Sequence, residues 1–267
     1  MKNYLLASAL LFSLPAVNAG ENTLLQQAIK GSHRSAQHQS RDQYRHPQET
    51  LDFFDVKSNM TVVEIWPGGK GWYTEILAPY LKKEGELYAA HFAADSEIPY
   101  FPKNLKKFRE KTKAQPDIYS KIIITTLQPP KTVEIAPNNS ADRILTFRNI
   151  LNWMKNDQAD AVFKAMFNAL KPGGLLGIVE HRAPENLEQD PKAISGYVKQ
   201  SYVIALAEKA GFKLVDKSEI NANPKDTAVH PKGVWTLPPS LRLKDKDKEK
   251  YLAIGESDRM TLKFIKP

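Results

Sequence analysis

The order of elements predicts an α/β fold, doubly wound, with a mostly parallel sheet, helices on both faces and an antiparallel end. Short β-branched runs alternate with amphipathic helical patterns from Pro47 to Ile220, the order that joins parallel strands through crossovers. A glycine-rich turn, Gly68-Gly69-Lys70-Gly71, separates the first strand pattern from the helix that follows it. The chain then closes on two strand patterns with no strong helical pattern between them.

Pro47 to Val56 reads as a short helix with proline in its first turn, turning Leu51, Phe53 and Phe54 inward. Thr61 to Ile65 is the first strand, and Trp72 to Leu81 the helix after it, apolar at Ile76, Leu77, Tyr80 and Leu81. Leu87 to Phe92 is the second strand. Residues 99–116 form an exposed, lysine-rich helix. Lys121 to Thr126 and Ala141 to Phe147 are the third and fourth strands. Asp157 to Leu170 carries an apolar stripe (Ala161, Val162, Ala165, Met166, Ala169) and stops at Lys171-Pro172-Gly173-Gly174. Leu175 to Glu180 is apolar enough for a central strand. A helix at Ser201 to Ala210 ends at Gly211 and leads to a strand at Phe212 to Ile220. Met260 to Ile265 is the last strand. Between these two strands lies an insertion, residues 221–258, of a length that is usually functional or partly disordered.

The N-terminus reads differently. Lys2, the apolar run Leu5 to Leu14 and Val17-Asn18-Ala19 have the form of a cleavable secretory leader, residues 1–19. The apolar run is too short to span a bilayer. A polar arm, residues 20–46, precedes the main domain at 47–267, and is expected to be loosely ordered or helical. Its histidines, His33, His38 and His46, are not spaced to share a helix face, so they are read as surface residues rather than metal ligands. Arg41, Asp42, Tyr44 and Arg45 form either a lid over the site or a plain surface arm.

The chain has no cysteine, which excludes disulfides, thiolate catalysis and cysteine-bound zinc. A formal charge of +8 favours anionic partners. Export would keep the protein from the nucleoid, so a small molecule or an anionic envelope component fits better than nucleic acid. Periplasmic or secreted location is the expectation.

The chemistry concentrates in Val62-Val63-Glu64-Ile65-Trp66-Pro67-Gly68-Gly69-Lys70-Gly71. An acid at a strand tip, a glycine turn and a helix start together describe a nucleoside-type cofactor site. A nicotinamide site would instead place its acid at the end of the second strand, so an oxidoreductase ranks last.

Four segments resemble the class I S-adenosylmethionine-dependent methyltransferases. They are Glu64 to Gly71, Asp142-Arg143-Ile144-Leu145-Thr146-Phe147-Arg148-Asn149, Leu170-Lys171-Pro172-Gly173-Gly174, and Ala210-Gly211-Phe212. The likeness covers residues 47–266 and implies a seven-stranded Rossmann-like sheet with an antiparallel last strand. More narrowly, Glu64-Ile65-Trp66-Pro67-Gly68-Gly69 and Gly233-Val234-Trp235-Thr236-Leu237-Pro238-Pro239 resemble a bacterial group of predicted secreted methyltransferases.

The resemblance implies S-adenosylmethionine as cofactor, with Glu64 at its methionine end and Gly68, Gly69 and Gly71 beneath it. Trp66-Pro67 replaces the family's usual first glycine. The ribose-binding acid is missing from its usual place, where His91-Phe92 stands, with Asp95 a few residues on. Arg148 and Asn149 occupy the methyl- and substrate-facing tip of the fourth strand. His181 is a candidate base that Glu180 and Arg182 could tune, or else a polar strand end. Trp153 and Asn152 read either as an aromatic wall or as a packed helix lead-in, and His230 to Trp235 as either substrate-side groups or a clasp. The alternative function is a periplasmic ligand-binding protein that keeps the fold without transferring a methyl group.

Overall fold

The computed structural model describes the chain from Val17 to Pro267. The expected leader lies outside these residues except for its last three positions, which open the first helix. In chain order the elements are α1 (Val17–Lys30), α2 (Ala36–Gln39), α3 (Asp42–Arg45), α4 (Pro47–Phe53), β1 (Thr61–Ile65), α5 (Thr74–Leu81), β2 (Glu86–His91), α6 (Tyr100–Ala114), α7 (Pro116–Tyr119), β3 (Ile122–Thr126), β4 (Ala141–Phe147), α8 (Ile150–Lys155), α9 (Ala159–Ala169), β5 (Leu170–Ala183), β6 (Val198–Lys199), α10 (Gln200–Lys209), β7 (Lys213–Ser218), β8 (Pro231–Val234), α11 (Lys248–Ile254) and β9 (Arg259–Ile265).

The sheet order is β3-β2-β1-β4-β5-β9-β7. Strands β1 to β5 pair in parallel, and β9 runs antiparallel between β5 and β7. The sheet has eight strands rather than the seven expected, because β5 overruns to Ala183 and its tip pairs with the two residues of β6. Strands β1 and β4 have the bounds read from the sequence.

Alternation along β1 divides the core into two layers. Val62 faces a cluster with Leu25 of α1, Leu51 of α4 and Ile76 and Leu77 of α5. Val63 and Ile65 face the other cluster, with Phe163 and Met166 of α9 and Val203 of α10. Glu64 shares the face of Val62, toward α5, and this puts a carboxylate beside the start of that helix. The edge strand β7 is largely exposed and carries Lys213, Asp216 and Lys217, charges that discourage edge-to-edge pairing.

The N-terminal arm is helical and packed. Leu25 and Ala28 are buried in the α5-side layer. His38 is buried, not a surface histidine, and its Nδ1 lies 2.8 Å from Glu75 Oε2. The His33 ring meets the Glu75 carbonyl at 2.7 Å, and the Trp72 indole donates to the His38 carbonyl at 3.1 Å. Among the described residues no helix is long and apolar enough to cross a membrane.

Candidate functional site

A cleft of about 390 Å³ opens at the carboxyl ends of β1 and β4, where ligands sit in open α/β sheets. Its walls come from four parts of the chain. The tip of β1 and the glycine turn supply Glu64 to Tyr73, and the tip of β4 supplies Phe147, Arg148, Asn149 and Asn152. Helix α6 gives Tyr100 and Asn104, and the arm gives His38, Arg41 and Arg45. The arm therefore forms one side of the cleft, the lid-like alternative of the two readings.

Glu64 is buried, and the Thr74 hydroxyl donates to its Oε2 at 2.6 Å. Burial pushes its carboxyl up from 4.5 to about 7, opposed by that hydrogen bond and by the charges of Lys111 and Arg148. The acid is thus poised to become fully ionised when a cation arrives.

The turn after Glu64 shows where glycine is required. Gly68 has φ +70°, and a Cβ built on it meets no atom within 4 Å, so its open side faces free space. Gly69 packs under α6, where a Cβ would come within 2.6 Å of Asn104 Oδ1. Gly71 has φ +55°, and a Cβ there would press on Thr74 and Phe108 at 2.8 and 2.9 Å.

Trp66, in place of the usual first glycine, adopts the left-handed φ of +46°. That conformation costs an L residue about 1–2 kcal/mol. The indole offsets it: the ring packs on Phe92, Phe101 and Trp153, and Nε1 donates to the Leu127 carbonyl at 3.0 Å. The Trp66 ring belongs to the core, and so does that of Trp153, which is fully buried. Arg148, at the tip of β4, also has a left-handed φ, +62°. Strained residues at two neighbouring strand tips that line one cleft mark a site held in a special geometry.

The other expected site residues divide. Asn149 is buried, and its amide donates to the Ile65 carbonyl at 2.8 Å, tying the β1 and β4 tips together. His91 lies beneath the turn rather than in the cleft lining. Its Nδ1 accepts from the Phe92 N–H at 2.8 Å, so its Nε2 carries the proton and donates to the Gly68 carbonyl at 3.2 Å. Burial lowers its pKa to about 4, so it is a neutral brace. Asp95 is exposed and does not line the cleft.

His181 also stands outside the lining, with Nδ1 2.6 Å from the Ser257 hydroxyl. Burial and then the charges of Arg148, Arg259, Arg45 and Arg41 hold its pKa well below the usual value. Its sequence neighbours do not do this. Glu180 turns to accept from the Ile150 and His181 N–H groups, and Arg182 is held by Asp258 and Glu219. His230 belongs to a clasp outside the cleft. The enclosed Asp226 accepts from the Tyr197 hydroxyl and the Asp258 N–H and pairs with His230 at 2.7 Å.

Sequence reasoning missed Glu256 and Arg259. Arg41 reaches Glu256 at 2.5 Å across 215 residues of chain, and Arg259 meets the same carboxylate at 3.2 Å. No local pattern announces such a contact.

No protein-family model matches the chain, and no curated protein matches its sequence. Solved structures do match its fold. An S-adenosylmethionine-dependent methyltransferase from Aquifex aeolicus superposes with a TM-score of 0.57 at 14% identity, over 92% of this chain and 98% of that one. The glycopeptide N-methyltransferase MtfA, complexed with sinefungin, gives 0.53 at 12% identity over 85% and 87%. The [4+2]-cyclase SpnF gives 0.55 at 12% identity over 94% and 95%. The chain has the class I S-adenosylmethionine-dependent methyltransferase fold. A cyclase among the matches shows that this fold alone does not fix the reaction.

Proposed function

We propose that the cleft binds S-adenosylmethionine and that the protein is an exported methyltransferase acting on a small or envelope-derived acceptor. One observation carries this reading: a buried carboxylate at the β1 tip, Glu64, faces a cleft floored by a glycine turn in front of a helix. The cleft volume falls in the range of small-molecule sites, about 300–1,000 Å³. The open side of Gly68 lets a ligand approach the backbone where any side chain would intrude. Glu64 would hold the amino group at the methionine end, and Asn104 of α6, over the turn, would stand in for the missing ribose acid.

Bound there, the cofactor would supply an activated methyl group on a sulfonium for transfer to an acceptor that gives up a proton. The protein's contribution is chiefly positioning. His181, the candidate base read from the sequence, stands outside the lining with its pKa held well below the usual value, so it would be a weak proton acceptor.

The leader-like pattern of residues 1–19, as read from the sequence, is what supports the exported setting. A ligand-binding protein without transfer is the second reading, favoured by the absence of the ribose acid from the end of β2 and by a cleft lining whose histidine, His38, is engaged by Glu75. Incubation with methyl-labelled cofactor and envelope extracts separates the two. Label in an acceptor supports transfer, and saturable cofactor binding with no labelled product supports the binding protein.

A further inference from the structure

The arm and the β4 tip bring more positive charge to the cleft than its acids balance. Arg41, Arg45 and Arg148 all line it, and Arg259 stands behind them. One carboxylate, Glu256, serves the group: Arg41 and Arg259 contact it directly and Arg45 Nε lies 3.6 Å away. These cations hold Glu256 at about 2 although burial works the other way. Asp258 is committed to Arg182, and His38 and Lys111 to Glu75. Glu64, the remaining acid of the cleft, is itself raised to about 7.

Two of the arginines are incompletely paired. Arg45 is 3% exposed, yet its Nε and Nη1 have no hydrogen-bond partner. The Trp72 face 4.6 Å from its guanidinium carbon stabilises the cation but accepts no N–H. Arg148 is half-buried and lines the cleft with its guanidinium not engaged by a carboxylate among the described residues, and burial and then the charge of Arg259 bring its pKa down to about 10. Buried guanidinium nitrogens left unsatisfied, as on Arg45, are costly, and an anion that accepts their hydrogens while pairing with Arg148 offsets the cost.

We infer that Arg148, Arg41 and Arg45 form a binding site for a carboxylate or phosphate group of the acceptor, beside Glu64 in the same cleft. This rests on the methyltransferase reading for the word acceptor, but the anion site itself can be tested alone. Arginine offers a planar fork of donors suited to both anions. Glu64 then receives the cationic end of one ligand and the arginines the anionic end of the other, so a single cleft sorts the two by charge.

The other source of such an anion is the cofactor's own carboxylate, and the test separates them. Inorganic phosphate and succinate are titrated calorimetrically into the wild type, Arg148→Gln and Arg148→Lys, with and without saturating S-adenosylhomocysteine. Thermal unfolding checks that each variant folds. Arg109→Gln, at an exposed site on α6 outside the cleft, is the control.

The expected result is millimolar or tighter anion binding that persists with S-adenosylhomocysteine bound. It weakens about tenfold or more in Arg148→Gln, recovers in part in Arg148→Lys and is unchanged in the control. Two results would overturn the proposal. One is no anion binding by the folded wild type at about 10 mM. The other is displacement of the anion by S-adenosylhomocysteine, with Arg148→Gln losing that ligand but keeping 5′-methylthioadenosine, which lacks the carboxylate. Anion binding without any S-adenosylhomocysteine binding would support the anion site and count against the methyl-donor reading instead.

Discussion

The Thr74 hydroxyl, at the first residue of α5, donates to the Glu64 carboxylate at the tip of β1, 2.6 Å away. This bond fixes the acid across the glycine turn and aims it at the cleft. It also ties the site to the fold, since β1 and α5 are the two elements whose order and spacing the sequence makes plainest.

Stability should carry the mark of this burial. Glu64 and Glu180 are both raised from 4.5 to about 7, chiefly by burial. Between these values the unfolded chain has released protons that the folded chain still holds, so stability falls as pH rises through the window. The expected loss attached to Glu64 is about 2–3 kcal/mol. Denaturant unfolding of Glu64→Gln at about pH 5 and pH 8 should show a shallower fall than the wild type. Equal slopes would place the Glu64 pKa near its ordinary value.

Glu256 has the opposite sign. Its carboxyl is held at about 2, so its contribution is present above 4.5 and is lost as pH falls toward 2. Glu256→Gln should remove part of the acid sensitivity and cost about 2–4 kcal/mol at pH 7, because Arg41, Arg45 and Arg259 lose their counter-charge.

The glycines of the turn should separate folding from binding. Gly71→Ala meets both a positive φ and close contacts with Thr74 and Phe108, for an expected loss of about 2–3 kcal/mol. Gly68→Ala keeps only the backbone strain, about 1 kcal/mol, but its methyl projects into open space. Thermal unfolding with calorimetry should show Gly68→Ala nearly as stable as the wild type and at least about tenfold weaker for S-adenosylhomocysteine. Unchanged affinity would remove the turn from the ligand's path.

Asp226 offers a structural contrast. Asp226→Asn disturbs the clasp to Tyr197, His230 and the Asp258 N–H and should cost about 2–3 kcal/mol. Cofactor affinity should stay within about threefold. A larger loss would draw the insertion into the site.

The parts legible in the sequence are those governed by local rules. Short apolar runs bounded by turn residues gave β1 and β4 their bounds, and the glycine turn announced the cleft. The arm was not legible, because its order comes from distant partners: His38 meets Glu75 37 residues on, and Arg41 meets Glu256 after 215. Trp66, which stands where a glycine is usual, hides its role for another reason. Its backbone does a glycine's work at the turn while its ring does a core residue's work, and a single sequence position does not separate the two. His91 stands at a strand tip where a ligand contact is expected, but its ring is used up within the turn.

The most direct measurement is calorimetric titration of the chain from Gly20 onward with S-adenosylmethionine and S-adenosylhomocysteine, in the wild type and in Glu64→Ala. The expected result is saturable one-site binding in the wild type, weakened about tenfold or more in the variant while it remains folded. No binding to folded wild-type protein at about millimolar ligand, or equal affinity in the two proteins, would contradict a cofactor site built on Glu64.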